Sequence, residues 1–416
     1  MEKPDRKAVT GSLVLLMVAL QSVGCGPNRQ TEQAPAKSPG AGFQATDAAP
    51  DAPAAAPFYL LIERARAQFN GMYLEPALRT LGEVIRLHPN EPSAYSLRAS
   101  VLETLEDAAG AAKDRQTAKE ILQRVIVQQS VEIDANPGRV QAYLLRAQAL
   151  LERGDWKGAL RDYDRAVAVQ PGSSVVYLHR ADFHCLEFRE RQAIEDYTRA
   201  LILDAANATA RNNRGLARFA LKEYAEAIED YSAAVALEPK QPRNYDNRGA
   251  AWYRWGKRKE AISDFSKAIA LDPLYVTAWH NRALARLEEG DVDGAIADAT
   301  SAIRLPGHSA ASFNLRGYAY FKKGDNTSAI RDHTIALERD RPKKIRYGAL
   351  VDRADARAAG GDIQGAVEDY TEAIKEQGRL PEAYQKRAQA YRRLGMEKEA
   401  LGDERMGRDL EGSEGR

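Results

Sequence analysis

The residues of this chain with the most evident chemistry are arginines and aspartates that recur as pairs. In each pair the aspartate follows its arginine after sixteen positions, and the central pairs are evenly spaced along the chain. A guanidinium opposite a carboxylate can form a two-pronged, charge-assisted hydrogen bond, or it can bind an anionic ligand. Because each arginine has its own aspartate, we expect a structural ladder inside the fold. The six central pairs are Arg146–Asp162, Arg180–Asp196, Arg214–Asp230, Arg248–Asp264, Arg282–Asp298 and Arg316–Asp332.

Other side chains give little indication of catalysis. His179, His184 and Cys185 lie close together in the sequence, but one helix supplies only some of the ligands of a zinc site. The sequence has no glycine-rich phosphate loop, no nucleophile elbow and no metalloprotease helix. We therefore expect no catalytic residue, no metal and no cofactor. An enzyme with a site hidden in a groove is the less favoured alternative.

A repeated pair of helices must position the ladder. In residues 140–173, apolar and small residues recur at steps of three and four from Tyr143 to Leu150, as one helical face requires. Gly154 predicts a left-handed turn, and Pro171 ends the second helix. At 1.5 Å per residue, the arginine and the aspartate both lie roughly 12 Å from the turn. The two side chains are therefore level with each other.

This repeating pattern resembles the tetratricopeptide repeat (TPR) family. The resemblance rests on a small residue in each first helix and an alanine in each second helix. The first set is Ala147, Ala181, Gly215, Gly249, Ala283, Gly317, Ala354 and Ala388, and the second is Ala159, Ala193, Ala227, Ala261, Ala295, Ala329, Ala366 and Ala400. The resemblance covers residues 58–414 as ten units with two insertions, a long one in unit 2 and a short one before Arg353. It implies an all-α fold, a right-handed α-solenoid of about ten helix-turn-helix units, with first helices along a concave face.

Unit 2, residues 92–139, carries the long insertion, because Arg98 and Arg146 stand fourteen positions further apart than the regular repeat allows. An insertion of this length makes just under four helical turns, so a second helix can lengthen without rotating its apolar face away. The run Ala108–Ile133 contains no proline and a single glycine. We expect one long, protruding helix over residues 107–134. A loop or a short extra helix is the alternative.

The resemblance also implies a binding site, because ligands of TPR proteins lie along the concave face. The matching first-helix positions are Asn212, Phe219, Arg243, Asp246, Tyr253, Arg254, His280, Asn314, Tyr318 and Phe321. Aromatic, amide and guanidinium groups together suit an extended peptide. The alternative is that these are simply the exposed residues of their helices. Asn213, Asn247 and Asn281 match one residue of the clamp that chaperone-binding relatives use for a terminal carboxylate, but the lysines of that clamp are absent.

Residues 1–25 resemble a lipoprotein-type signal peptide. A basic start precedes the apolar core Leu13–Leu20, which is too short for a comfortable membrane span. Small residues then lead to Cys25, as in a bacterial lipobox, although Ser22 stands where leucine is usual. We expect Cys25 to be lipidated. An ordinary signal peptide, or an uncleaved anchor, is the alternative.

Residues 26–57 are rich in proline and alanine and contain a single large apolar residue, Phe43. Such a segment cannot bury a core and is expected to be disordered. As a flexible tether it would span roughly 30 Å.

The charge balance bears on the partner. The chain has 60 lysines and arginines against 59 aspartates and glutamates, whereas nucleic-acid-binding proteins usually show a basic excess. We therefore expect a protein or peptide partner, no nucleic acid, and membrane attachment through an N-terminal lipid. The sequence predicts a non-catalytic scaffold at the bacterial cell envelope, and Gly26 after the cysteine favours the outer membrane. The alternative is a cytoplasmic TPR co-chaperone or signalling adaptor.

Overall fold

The computed structural model describes residues 58–70, 73–305, 310–339, 345–377 and 380–414. The predicted signal peptide, Cys25 and the predicted tether of residues 26–57 lie outside these residues. By contacts the chain divides into two compact units, which we call lobes. The N-terminal lobe holds residues 58–66 and Leu74–Ala217, and the C-terminal lobe holds Ala67–Tyr73 and the residues from Arg218 onward.

Twenty helices and no strand make up the regular structure of the described residues. Consecutive helices pack against each other along each lobe, as hairpins that stack on their neighbours. The prediction of an all-α fold of about ten helix pairs is confirmed. The helices are α1 Phe58–Asn70, α2 Leu74–Leu87, α3 Pro92–Thr104, α4 Ala108–Ala135, α5 Val140–Glu152, α6 Trp156–Val169, α7 Ser174–Leu186, α8 Glu190–Leu203, α9 Ala208–Ala220, α10 Tyr224–Leu237, α11 Pro242–Arg254, α12 Arg258–Leu271, α13 Val276–Glu288, α14 Val292–Arg304, α15 Ala310–Lys323, α16 Asn326–Arg339, α17 Arg346–Ala359, α18 Ile363–Glu376, α19 Pro381–Arg393 and α20 Glu397–Glu414.

The turn between the two helices of a hairpin is short and capped. Gly154 has a φ of 86°, in the left-handed region that glycine adopts without strain. Asp155 then caps α6, because its carboxylate accepts a hydrogen bond of 2.9 Å from the backbone N–H of Gly158. Pro242 and Pro381 begin α11 and α19, where a missing N–H costs nothing. The sequence therefore determines both ends of these hairpins locally.

Small residues let the paired helices approach closely. Ala147 and Ala159 are fully buried, and the ring of Tyr163 packs in the same cluster. A Cβ added to Gly249 would lie 2.8 Å from the ring of Phe265, so any side chain at that position would displace the aromatic residue. Each hairpin buries its apolar faces against its own partner helix and against the next hairpin, which is how repeat proteins build a core.

Helix α4 has 28 residues, whereas α20 has 18 and the other second helices have 13 or 14. Its first half packs as an ordinary second helix, since Asp114 accepts two hydrogen bonds from Arg98 of α3. Its second half packs against α5, where Ser130 accepts a bond of 3.0 Å from Arg146. Ile133 is buried in the same core cluster as Tyr143. A single helix therefore occupies the residues for which the sequence predicted a long helix, 107–134. Its first half forms a hairpin with α3, and its second half packs against α5 of the next hairpin.

Candidate functional site

The arginine–aspartate pairs form two-pronged hydrogen bonds between the two helices of a hairpin. Nε and Nη2 of each arginine donate to the two carboxylate oxygens of its aspartate at 2.6–3.0 Å. The aspartates are buried, and the arginines are mostly covered. These pairs are Arg98–Asp114, Arg146–Asp162, Arg180–Asp196, Arg248–Asp264, Arg282–Asp298, Arg316–Asp332, Arg353–Asp369 and Arg387–Asp403. Guanidiniums held in this way are not offered to an anionic ligand.

One predicted ladder pair, Arg214 and Asp230, has its two residues in different lobes. Within the N-terminal lobe, Arg214 donates to the hydroxyl of Thr198 at 3.1 Å. Within the C-terminal lobe, Asp230 accepts from Arg218 at 2.9 Å. Both residues therefore lie in polar contacts of their own lobe.

Two further contacts extend the ladder, and sequence reasoning missed both. A second arginine, four residues after the first, donates to the same aspartate at 2.9 Å in Arg286–Asp298 and Arg357–Asp369. In addition, Nη1 of the ladder arginine bonds a hydroxyl of the preceding hairpin, as in Arg248 with Ser232 and Arg282 with Ser266. Serine or threonine recurs two residues after most ladder aspartates, which is a signal that the sequence does contain. The ladder thus links successive hairpins as well as the two helices of each.

The opening aromatic residue of a first helix covers the ladder arginine. The guanidinium carbon of Arg282 lies 5.0 Å from the ring centroid of Trp279, and that of Arg248 lies 5.7 Å from Tyr245. A cation over an aromatic face is attracted by the electron density of the ring. These aromatic residues therefore complete the ladder and are not free for a ligand.

In the C-terminal lobe the first helices α11, α13, α15 and α17 contact one another in sequence and form one face. A cavity of about 360 Å³ opens between α13, α15 and the start of α17. Three predicted groove residues, His280, Asn314 and Tyr318, line it, together with Asp352. The apolar part of its wall comes from Leu284, Ala311, Leu315 and Ile345. This cavity is a recess in the described face that is large enough for a side chain of a partner.

A chain of hydrogen bonds fixes the polar side of the cavity. Nδ2 of Asn314 donates to Asp352 at 3.2 Å, and Oδ1 of Asn314 lies 2.8 Å from Nδ1 of His333. His333 is fully buried, and burial lowers the pKa of its imidazole to about 4, so the ring is neutral at pH 7. Because the carboxylate of Asp352 accepts from Nδ2 of Asn314, Oδ1 of the amide faces His333. The bond between Oδ1 and Nδ1 then requires the proton of the neutral imidazole on Nδ1.

Burial shifts the pKa values of two residues that line the cavity. Burial raises the pKa of Asp352 to about 6, and it lowers the pKa of His280. Nδ1 of His280 is buried without a hydrogen-bond partner among the described residues. The cavity therefore holds a carboxylate and an imidazole nitrogen whose hydrogen-bonding capacity is not used up by their neighbours.

Asp246 and Asn212 are placed differently from the other predicted groove residues, because both are buried. Asp246 accepts from Asn281 at 3.1 Å, and burial raises its pKa to about 6. Asn212 donates to its neighbour Asn213 at 3.3 Å, and Asn213 donates to Asp182 of α7 at 3.2 Å. These contacts join successive first helices within each lobe, and the two side chains are therefore structural.

The remaining predicted groove residues are at least partly exposed. Arg254 is exposed, whereas Arg243, Tyr253 and Phe321 are half-buried. The Tyr253 hydroxyl donates to Glu288, which also accepts a bond of 2.8 Å from Arg258. Phe219 is half-buried and packs edge-on against Tyr224 at 5.6 Å. The structure therefore brings His280, Asn314 and Tyr318 together in one cavity, and none of the other seven predicted groove residues lines it.

The cluster of His179, His184 and Cys185 lies in α7. Burial raises the pKa of the Cys185 thiol to about 12, so it is protonated and unreactive at pH 7. Nε2 of His184 lies 3.8 Å from a ladder carboxylate, that of Asp196. Among the described residues, no group of three or more His, Cys, Asp or Glu side chains could hold a metal ion.

Comparison with known families identifies the repeat. Models of the tetratricopeptide repeat match residues 140–183, 208–241, 251–310, 281–344 and 314–378. The chain belongs to the tetratricopeptide repeat family. Repeats of this kind build protein–protein interaction scaffolds, and such proteins are generally non-catalytic. None of the curated protein sequences matches this TPR protein.

Several solved structures are similar to this TPR protein. A tetratricopeptide repeat protein from Parabacteroides merdae is 18% identical with a TM-score of 0.49, over 60% of this chain and 98% of that one. Yeast Tom70 is 15% identical with a TM-score of 0.45, over 85% and 89%. Pseudomonas aeruginosa pilF is 23% identical with a TM-score of 0.44, over 53% and 96%. At these identities the likeness concerns the fold alone.

No helix among the described residues of the TPR protein has the length and apolar character that crossing a membrane requires.

Proposed function

We propose that this TPR protein is a non-catalytic scaffold that binds a peptide or protein partner on the face formed by α11, α13, α15 and α17. We further propose that it is tethered at the bacterial cell envelope by a lipid on Cys25, with residues 26–57 as the spacer. The second proposal rests on the sequence alone.

The observation that carries the binding proposal is the cavity of about 360 Å³ in that face. Ligand cavities are typically lined by apolar side chains with a few polar groups that fix orientation. This one has that composition, and the contributing residues come from three successive first helices. A site spread over three helices suits an extended segment that runs across them.

A site-specific crosslinking experiment can test the location of the partner. A photoreactive benzoylphenylalanine would replace Tyr318, which lines the cavity, and in a second variant Glu226, which is exposed on the second helix α10. Irradiation of cells should yield a covalent adduct with a partner at position 318 and not at position 226. Adducts at 226 alone would place the partner on another surface.

The affinity for the captured partner gives the quantitative test. His280→Ala with Tyr318→Ala removes two cavity residues that take no part in the ladder. The double variant should keep its helical circular dichroism signal and lose at least about tenfold in affinity, or ~1.4 kcal/mol. Glu226→Ala with Glu229→Ala, both exposed on α10, should leave the affinity unchanged. A folded cavity variant that binds as tightly as the wild type would contradict the proposed site.

A further inference from the structure

We propose that the cavity between α13, α15 and α17 accepts an arginine side chain of the bound peptide, with Asp352 facing the guanidinium. The proposal rests on the proposed function and names the chemistry of the partner at this one subsite. Four observations support it: the hydrogen-bonding capacity of the lining groups, the charge at Asp352, the apolar wall and the volume.

The carboxylate of Asp352 has acceptor capacity to spare. Asn314 uses Nδ2 for Asp352 and Oδ1 for His333, so both ends of its amide are engaged. Asp352 uses Oδ2 for that bond, which leaves Oδ1 able to accept from a ligand. A ligand that donates hydrogen bonds to this carboxylate fits the arrangement.

The charge at Asp352 favours a cation. Three charged groups act on this carboxylate, and two of them, Asp355 and Glu382, are carboxylates themselves. The third, Lys386, donates to Asp355 at 2.7 Å and to Glu382 at 2.8 Å, so its charge is already shared by two partners. A cation brought into the cavity would compensate the buried charge of Asp352, whereas an acidic side chain would be repelled.

The wall and the volume suit the rest of an arginine side chain. Leu284, Leu315 and Ile345 can cover an aliphatic stem while the head reaches Asp352. A volume of about 360 Å³ lies near the lower limit for ligand pockets, which suits one long side chain. Lys322 lies 5.0 Å from the Tyr318 ring centroid, so that ring already has a cation beside it and the proposal does not depend on it.

Arginine fits better than lysine. Its planar guanidinium offers five donors in a fixed fork, while the ammonium of lysine is a compact point charge with three donors. The guanidinium presents two parallel N–H donors to a carboxylate such as that of Asp352, a geometry that an ammonium cannot copy.

The test uses the full-length chain and an array of immobilised nine-residue peptides. Flanking positions are randomised, and the central residue is arginine, lysine, glutamate or citrulline, which has the shape of arginine without its charge. Arginine peptides should bind at least about tenfold more tightly than citrulline peptides, and more tightly than lysine peptides. Asp352→Asn, nearly the same in shape, should reduce the preference for arginine over citrulline to within about twofold.

Two variants serve as references. Asp293→Asn removes an exposed carboxylate of the same lobe and should leave the preference intact. Ala311→Leu narrows the cavity while keeping Asp352, and it should also weaken binding of arginine peptides. The cavity is then tested even if Asp352→Asn does not fold.

Peptide binding without a preference for arginine would overturn the inference and leave the proposed function standing. The same holds for a preference that survives in Asp352→Asn. An array that retains no peptide would overturn the inference, and crosslinking at position 318 would then decide the proposed function separately.

Discussion

At the scale of single residues, His333 shows how one substitution within a repeat changes the chemistry of a face. The corresponding position holds Tyr163, Tyr197, Phe265 or Tyr370 in other second helices. The ring at this position packs against the small residue of the first helix, since a Cβ added to Gly317 would lie 2.9 Å from the imidazole of His333. A histidine here adds a hydrogen bond to Asn314, which a phenyl ring could not make.

Stability should depend on pH through His333. Its folded pKa of about 4 lies below its ordinary value of 6.5, so above pH 6.5 both states are neutral and the contribution is fully present. Below that, the unfolded chain takes up the proton first, and stability is lost as pH falls towards 4. Between pH 7.5 and pH 5 the loss should be about 2 kcal/mol. Urea unfolding followed by tryptophan fluorescence measures it.

The matched variant is His333→Phe, because Phe265 occupies the same position against Gly249. Comparing the two proteins at each pH cancels the titration of other groups, including Asp246 and Asp352, whose raised pKa values act in the opposite direction. The variant should lose less stability than the wild type on acidification. Equal losses in the two proteins would show that His333 is not the group responsible.

At the scale of elements, nine hairpin turns of the described residues each have one left-handed residue. Six of these positions in the described chain hold glycine, while Glu106, Phe188 and Lys222 adopt the same conformation with a side chain. The hydrogen bonds are the same in both kinds of turn: Arg189 N–H donates to His184 at 2.9 Å, and Lys257 N–H donates to Trp252 at 2.8 Å. The three non-glycine turns therefore carry backbone strain.

Phe188→Gly should stabilise the protein. Phe188 has a φ of 56° and is 57% exposed, so removal of its ring sacrifices little packing. The relief of left-handed strain should exceed the extra entropy of glycine in the unfolded chain, for a net gain of roughly 0.5–1 kcal/mol. The midpoint of thermal unfolding measures it.

Gly256→Ala is the converse control. Its φ is 83°, and a Cβ there would meet nothing within 4 Å. The expected loss of stability therefore comes only from holding alanine in the left-handed backbone conformation. We expect destabilisation of about 1 kcal/mol. A loss of stability in Phe188→Gly would instead mean that the exposed ring packs more favourably than its accessibility indicates.

The helix pairs were predictable because they depend on local signals. Gly154, the alanines and the even spacing of the repeat determine where a hairpin turns and which face is buried, and each can be read along the chain. The burial of Asp246 was not predictable, since it depends on Asn281 and Tyr275 of the next repeat. The cavity was not predictable either, because it is a space left between side chains of three helices. The period of the repeat predicts which helices are neighbours, but it does not predict the spaces left between their side chains.

At the scale of the whole molecule, each repeat within a lobe contacts its neighbours in the chain. The stability of such an array is approximately a sum of terms for repeats and for the interfaces between them. The ladder strengthens the interface terms, since the Nη1 bonds of Arg248 and Arg282 cross from one hairpin to the preceding one. The expected attachment to a membrane, by contrast, depends on the N-terminal residues alone.

Cys25→Ser tests that attachment. The variant should move from the membrane fraction to the soluble fraction, and it should no longer incorporate a clickable fatty acid. The reason is that a thioether-linked lipid needs the cysteine sulfur. A serine variant that stays in the membrane fraction would show that the apolar core Leu13–Leu20 is retained as an anchor. A wild type that incorporates no fatty acid would contradict lipidation itself.

The long helix α4 has a consequence for the order in which the protein takes shape on the ribosome. An ordinary hairpin can form its own arginine–aspartate pair once its second helix has emerged, because that helix contains the aspartate. The second half of α4 has no such partner earlier in the chain. Ser130 bonds Arg146, and Ile133 packs in the same cluster as Tyr143; both of these partners are synthesised later. Until α5 follows, apolar residues of a finished helix remain exposed to solvent and to other nascent chains. Residues 121–151 are therefore the stretch where a chaperone bound to the growing polypeptide would protect it most.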